Sequence, residues 1–528
     1  MEQKHDMTGK EKTVCAASAE TESPVAETDC GKVKGEIREG ISIFRGIPYG
    51  DDCTGSRRFQ APRPAVKWEG VRDCTRNGFY APQFGCSISG SRELGEYFSG
   101  GHPEKFGVAG EEQNENCLVL NVVTPGCDDK RRPVVVYIHG GGFSTGSGTL
   151  VLGADRWARE EDLVIVGVNH RLNLFGYLYL GELDPKYADS GAAGMLDLIL
   201  ALKWVQKNIG NFGGDPERVT IMGESGGGAK VSTLLAMKEA GDLFRAAIVE
   251  SGSMPVGCRS REEGTLQALK LLEKLGIPGD RPGLLEDKTT EELLWAMKES
   301  GNMGAMEFQP VADGIHIEAG QGYTAPEGGE NIPLLVGASE DELAIFLEPE
   351  LLENMTWENM EKSLAEITIE EPLYQINRED WGRIISRFRE LDKDQSSPAH
   401  LFAKICSQAS MLGGGAYYQA MEKAGQKAAV YSYIVSCDSP HPGIEGQRYS
   451  WHTADLPLQM RIVLYPDSEE LSRKMAHAWA AFIRDGVPSA EGLEWKPFTQ
   501  EEKWTMVIGE QWKMEKDPLR EMRMCLEV

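Results

Sequence analysis

A chain of 528 residues is long enough to bury a large core, and on length alone it would hold roughly three or four domains. Its 82 acidic against 55 basic residues leave a formal net charge of −27, which opposes binding to nucleic acid or to an anionic membrane surface and favours solubility. No run of about 20 apolar residues offers a membrane-spanning helix, and the first thirty residues lack the apolar core of a signal peptide, so cytoplasmic residence and reduced thiols on the eleven cysteines are expected.

The polar stretch 1–23 reads as a flexible extension. Pro133 to Ile138 is a short β-branched run typical of a buried parallel strand, and it ends in His139-Gly140-Gly141-Gly142-Phe143. A glycine loop at a strand end is either a plain turn or a source of bare N–H groups, here those of Gly141 and Gly142, aimed at a developing oxyanion. Val219 to Met222 is a second strand-like run, followed by Gly223-Glu224-Ser225-Gly226-Gly227 and a helix-like run from Ala229 to Ala240. In a chain with 60 glycines this motif alone is a modest signal, but a serine at a sharp strand-to-helix turn is the context of a nucleophile elbow, in which flanking glycines let strand and helix approach while Oγ points outward. Covalent acyl transfer is the predicted chemistry, with the N–H of Gly226 as a third oxyanion donor.

Further on, Thr265 to Leu275 and Thr290 to Ser300 carry amphipathic helix patterns. Ile332 to Gly337 reads as another buried strand, followed by Ala338-Ser339-Glu340-Asp341-Glu342. The residues alone leave the choice of a catalytic acid open, because consecutive carboxylates are usually a solvated, helix-starting cluster. A catalytic base lying beyond the acid would be His400, His441, His452 or His477; His441 sits in a turn-like loop, and His477 falls in the helical pattern of Ser468 to Asp485. There is no His-Glu-x-x-His and no paired Cys-x-x-Cys, so no metal and no organic cofactor is expected.

The segment Ile209 to Ile221 leading into Gly223-Glu224-Ser225-Gly226-Gly227 resembles the type-B carboxylesterase and cholinesterase family of α/β-hydrolases. So do Pro24 to Thr28, Gly31 to Gly35, Phe44 to Gly50, Asn116 to Val122, Asn169 to Leu172 and Ala201 to Gln206, and the likeness covers nearly the whole chain. It implies an α/β fold: a central, mostly parallel sheet flanked by helices, forming a single catalytic domain over 24–528 with helical insertions near 258–330 and 346–426 over the active site. The family order of serine, acid, histidine and its Gly-x-x-x-Asp-Glu stretch, matched by Gly337, Asp341 and Glu342, select Glu342, with Asp341 as the alternative. The run from His452 to Leu458 resembles the family's histidine segment and selects His452, with His441 next.

The implied site is therefore Ser225, Glu342 and His452, with Gly141, Gly142 and Gly226 as oxyanion donors and Ser251 hydrogen-bonded within it; Glu224, next to the serine, is placed to tune its field, and a purely structural role is the alternative for both Ser251 and Glu224. The implied reaction is hydrolysis of a carboxylic ester to an acid and an alcohol through an acyl-enzyme. A small-molecule ester is the expected partner, with no nucleic acid and no membrane, and the chain is expected to be a monomer or weak homo-oligomer. No tryptophan lies between Cys86 and Cys117, where cholinesterases bind a quaternary ammonium by cation–π attraction, so an uncharged ester is expected rather than a choline ester. Secreted relatives close a disulfide near Cys86 and Cys117, which makes that pair the exception to reduced thiols. A non-catalytic adhesion protein on the same fold is the alternative from another class, and amide or carbamate cleavage is the alternative within the chemistry. Gly226 stands where relatives usually have alanine and Gly228 extends the glycine run, so the donor is expected to be loose and a Gly226→Ala variant no slower.

Overall fold

The computed structural model describes residues 23–84, 112–256, 259–302, 304, 306–320, 322–323, 329–369, 372–392, 395–438 and 448–527. Of the expected amino-terminal extension only Ser23 is among these, and Cys86, most of the 87–116 interval and His441 lie outside them. In chain order the strands are β1 (Val25–Thr28), β2 (Gly31–Lys34), β3 (Glu36–Arg38), β4 (Ile41–Pro48), β5 (Val71–Asp73), β6 (Val119–Thr124), β7 (Arg132–Ile138), β8 (Val164–Val168), β9 (Gly214–Glu224), β10 (Ala246–Glu250), β11 (Leu334–Ser339), β12 (Val430–Val435), β13 (Trp504–Ile508) and β14 (Lys513–Lys516).

β1, β2 and β5 make a small three-stranded sheet; the others form an 11-stranded sheet in the order β14-β13-β12-β11-β10-β9-β7-β8-β6-β4-β3. From β8 through β7, β9, β10, β11 and β12 to β13 every pairing is parallel, while β6, β4, β3 and β14 join at the edges antiparallel. The sequences explain this arrangement. β7 and β10 are buried at every position, as parallel strands covered on both faces must be, and their β-branched residues suit the pleat.

The helices that matter for the site are α1 (Ala193–Asn208), α2 (Gly226–Ala236), α3 (Arg261–Lys274), α4 (Thr290–Glu299), α5 (Trp381–Leu391), α6 (Pro398–Ala409), α7 (Met411–Lys423) and α8 (Glu469–Asp485). Alternation along the strands divides the apolar interior in two. Val134, Val136, Ile221 and Val249 pack with Leu198 and Leu202 of α1 and Val231 and Leu234 of α2. Val135, Tyr137, Met222 and Ile248 face the other way, onto Met475, Trp479 and Phe482 of α8, which recur at helical spacing. A third apolar cluster joins Leu343 and Leu347 to Trp381, Ile384 and Phe388 of α5 and Phe402 of α6. The 346–426 interval therefore builds its own small core beside the end of β11, and its last helix, α7, returns to pack against β11 and β12.

The start at Thr290 agrees with the periodicity reading, whereas the starts at Arg261 and Gly226 do not. α3 begins at Arg261 because Ser260 and Glu263 form a reciprocal capping box, and α4 begins at Thr290 because Thr289 and Glu292 do the same. α2 begins at Gly226 and not at Ala229, since the glycines themselves form its first turn.

Candidate active site

Registered pairing brings the carboxyl ends of neighbouring parallel strands together: Ile138 lies opposite Gly223, Glu250 opposite Glu224, and Glu250 opposite Gly337. Open α/β sheets bind ligands at that end. β9 stops at Glu224 and α2 starts at Gly226, leaving Ser225 alone at the corner with φ 58° and ψ −127°. A non-glycine residue held there stores about 1–3 kcal/mol of strain. The corner is fixed by Ser225 N–H donating to Glu250 O at 2.8 Å and by the closeness of α2 to β7, where a Cβ on Gly227 would lie 2.0 Å from Ile138 O.

Ser225 is half-buried and shares the wall of a cavity of about 430 Å³ with Gly142, Gly226 and His452. The remaining wall is largely apolar and includes Met254, Met306, Leu343, Phe346 and Leu351. Gly141 and Gly142 take left-handed φ values of 84° and 59°, and the carbonyls of their loop are engaged by hydrogen bonds. His139 Nδ1 donates to Gly140 O at 2.9 Å, the amides of Ser144 and Thr145 donate to Gly141 O at 3.2 and 3.0 Å, and that of Asn173 donates to Phe143 O at 2.7 Å. Among the described residues the N–H groups of Gly141 and Gly142 make no hydrogen bond, and the N–H of Gly226, as the first residue of α2, has no acceptor within the helix.

Glu342 follows β11 and is fully buried. Its Oε2 lies 2.5 Å from His452 Nδ1, and its Oε1 accepts from Ser251 Oγ at 2.5 Å and from Ser339 N at 2.6 Å. Asp341 points elsewhere: its Oδ2 is 2.9 Å from His400 Nε2 and accepts from Ser450 N at 3.2 Å. His477 is exposed on α8 beside Glu161, away from Glu342. Sequence patterning thus separated the helix-surface histidine correctly, whereas the pairing of His400 with Asp341 joins residues 59 apart and had no local signature.

The electrostatics of the site come from burial. Burial alone would lower the His452 imidazole, but Glu224 and Glu342 outweigh it and hold it up to about 9. Glu224 Oε1 is 3.4 Å from His452 Nε2, and burial raises this carboxyl to about 8 against the pull of His452. Behind them burial raises Asp455 to about 7 and lifts Glu250 well above the carboxylate range; Gln459 donates to Asp455 at 2.8 Å and Trp479 Nε1 donates to Glu250. Asp455 is the acid three positions past His452 in the sequence, whereas nothing local marks Glu250 as a member of this cluster.

Two further findings depart from expectation. A Cβ on Gly226 would stand 2.1 Å from Gly142 O and 2.4 Å from Gly142 Cα, so the position is tightly packed and not loose, and alanine is not accommodated without moving the glycine loop. Lys230, on α2, is fully buried, and burial lowers its ammonium to about 7. Sequence reading passed over it, although a lone lysine one helical turn past the glycines, in Gly226-Gly227-Gly228-Ala229-Lys230-Val231, was the available signal. Cys117 is a buried free thiol; Cys86 lies outside the described residues.

A serine at a strand-to-helix corner, with a carboxylate-paired histidine brought in from later strands, defines the α/β-hydrolase class. The chain belongs to the carboxylesterase family, whose model matches residues 22–525. It is 30% identical to the para-nitrobenzyl esterase of Bacillus subtilis (strain 168) over 95% of this chain and 98% of that one, and 29% identical to the human cocaine esterase over 91% and 87%. Among solved structures, a carboxylesterase of Geobacillus stearothermophilus superposes with a TM-score of 0.77 at 30% identity, covering 95% of this chain and all (100%) of that one. An esterase of the anaerobe Clostridium hathewayi, described as able to hydrolyse aliphatic aromatic polyesters, gives 0.77 at 28% identity over 96% and 98%. The chain is a carboxylic ester hydrolase, and the non-catalytic adhesion reading finds no support in these likenesses. No helix among the described residues is long and apolar enough to cross a membrane.

Proposed function

We propose that Ser225 is the nucleophile of a serine carboxylesterase, His452 its general base and acid, and Glu342 the carboxylate that orients the imidazole. The observation that carries this reading is the 2.5 Å contact of Glu342 with His452 Nδ1, made where His452 and Ser225 share one cavity wall. That contact keeps the proton on Nδ1 and leaves Nε2 free to take the Ser225 proton as Oγ attacks the ester carbonyl. The carbonyl oxygen becomes an oxyanion received by the N–H groups of Gly141, Gly142 and Gly226, each worth about 3–4 kcal/mol of barrier when well aimed. His452 then gives its proton to the departing alcohol, and the reverse sequence with water releases the acid and frees Ser225.

The apolar cavity wall supports small to medium uncharged esters, and relatives named for para-nitrobenzyl esters and for cocaine support acceptance of an aromatic group on either side of the scissile bond. Residues 24–528 act as one catalytic domain in this reading, with the 258–330 and 346–426 intervals shaping the cavity. The enzyme works in the cytoplasm as a monomer or weak homo-oligomer. The test is hydrolysis of p-nitrophenyl acetate and butyrate by wild type and Ser225→Ala in parallel. The expected loss in the variant is about several hundredfold or more; equal rates in both proteins would reassign the nucleophile.

A further inference from the structure

Helix α2 carries an amine into the interior, and among the described residues no carboxylate meets it. Lys230 is fully buried, and among the described residues it forms no ion pair. An ammonium left in such a place costs several kcal/mol relative to an apolar side chain of the same shape. What it touches is the glycine loop: Nζ donates to Gly142 O at 2.5 Å and to His139 O at 3.3 Å, and it lies 5.0 Å from the centroid of the Phe143 ring. The neighbouring imidazoles, His139 and His170, stack with centroids 4.7 Å apart; burial holds His139 at about 3 and His170 well below its ordinary value.

The oxygen that Lys230 grips is the same Gly142 oxygen that fills the space a Cβ on Gly226 would need. Residues 226 and 230 lie four apart, on one face of α2. Gly226 opens the space and Lys230 draws the carbonyl into it. Since a peptide is planar, fixing the carbonyls of His139 and Gly142 on the helix side sets the planes that bracket the Gly141 and Gly142 amides. The other loop carbonyls are taken by His139 Nδ1 and by the amides of Ser144, Thr145 and Asn173, so the lysine supplies the two contacts that local chain geometry does not.

We propose that Lys230 is a positioning residue: its ammonium clamps the Gly142 and His139 carbonyls against Gly226 of α2 and so aims the Gly141 and Gly142 amides at the oxyanion formed over Ser225. This rests on Ser225 being the nucleophile.

The experiment compares wild type with Lys230→Met, which keeps the bulk and removes all donors, and Lys230→Gln, which keeps two N–H donors. Each is measured for kcat and KM on p-nitrophenyl butyrate, for inhibition by an alkyl trifluoromethyl ketone that forms a tetrahedral oxyanion, and for Tm. A fluorophosphonate label located by peptide mass tests the nucleophile separately. Expected are a fall in kcat of about tenfold to a hundredfold in Lys230→Met with KM changed by no more than about threefold. The trifluoromethyl ketone should weaken in proportion to kcat, Tm should be unchanged or higher because a buried charge is gone, and Lys230→Gln should recover part of the loss. A kcat within twofold of wild type in Lys230→Met would overturn the clamp, as would a fall in Tm with a matching rise in KM that Lys230→Gln does not repair. Label on a residue other than Ser225 would overturn the underlying assignment instead.

Discussion

At the scale of the residue, the site is set by how closely backbone approaches backbone. Gly226 was legible in the sequence as a departure from the family pattern, but its consequence was not, because the neighbour it makes room for, Gly142 O, is 84 residues earlier in the chain. Gly226→Ala is therefore expected to slow turnover of p-nitrophenyl acetate by about tenfold or more, since the added methyl pushes the donor loop off its position; steady-state kinetics on the purified variant measure this. Glu224 carries the second prediction. As the proposed base, His452 must lose its proton, and Glu224 is the strongest upward influence on it, so protonation is expected to hold activity down on the acid side. Removing that carboxyl in Glu224→Gln lowers the His452 value, and the rising limb of kcat/KM moves to lower pH. A pH–rate profile between pH 5 and 10 shows the direction, and a limb that stays in place would mean the Glu224 carboxyl is already neutral throughout the titration of His452.

At the scale of the element, strands were readable and helix beginnings only in part: the start at Thr290 was legible, those at Gly226 and Arg261 were not. β7 announces itself as a short apolar, β-branched run and β11 as a short apolar one, because both faces are buried and no polar alternation obscures them. The start of α3 lies in Arg261-Glu262-Glu263, where the apolar stripe has not yet begun and only the Ser260 to Glu263 cap marks the boundary. Arg171 shows the limit from another side. Its motif, Asn169-His170-Arg171-Leu172, was visible, but its partner is Asp197 on α1, reached by Nε at 2.9 Å and by a second guanidinium nitrogen at 2.7 Å with both groups almost fully buried. Such a pair ties the loop after β8 to α1. Asp197→Ala leaves the guanidinium buried and unmatched, so a loss of about 3–5 kcal/mol in unfolding free energy is expected from urea titration.

At the scale of the whole molecule, the sheet order explains what the linear sequence could not. The cavity wall draws Met254, Met306 and Leu351 from segments well separated in the chain, so its shape depends on how the two intervals fold back over the sheet, and no local pattern specifies that. The same topology governs the histidine. His452 lies 227 residues beyond Ser225, and the two meet only when β9, β10, β11 and β12 stand side by side in register. A slip of one residue in β11 would shift the strand by about 3.3 Å, turn its side chains to the opposite face and carry the Glu342 turn that follows it out of place. Helices and individual strands need no such agreement among distant parts of the chain. Catalysis is thus a clock for the last pairing events of folding: after dilution from denaturant, ester turnover should return more slowly than far-UV ellipticity, and the lag between the two is the time the chain takes to bring its distant strands into alignment.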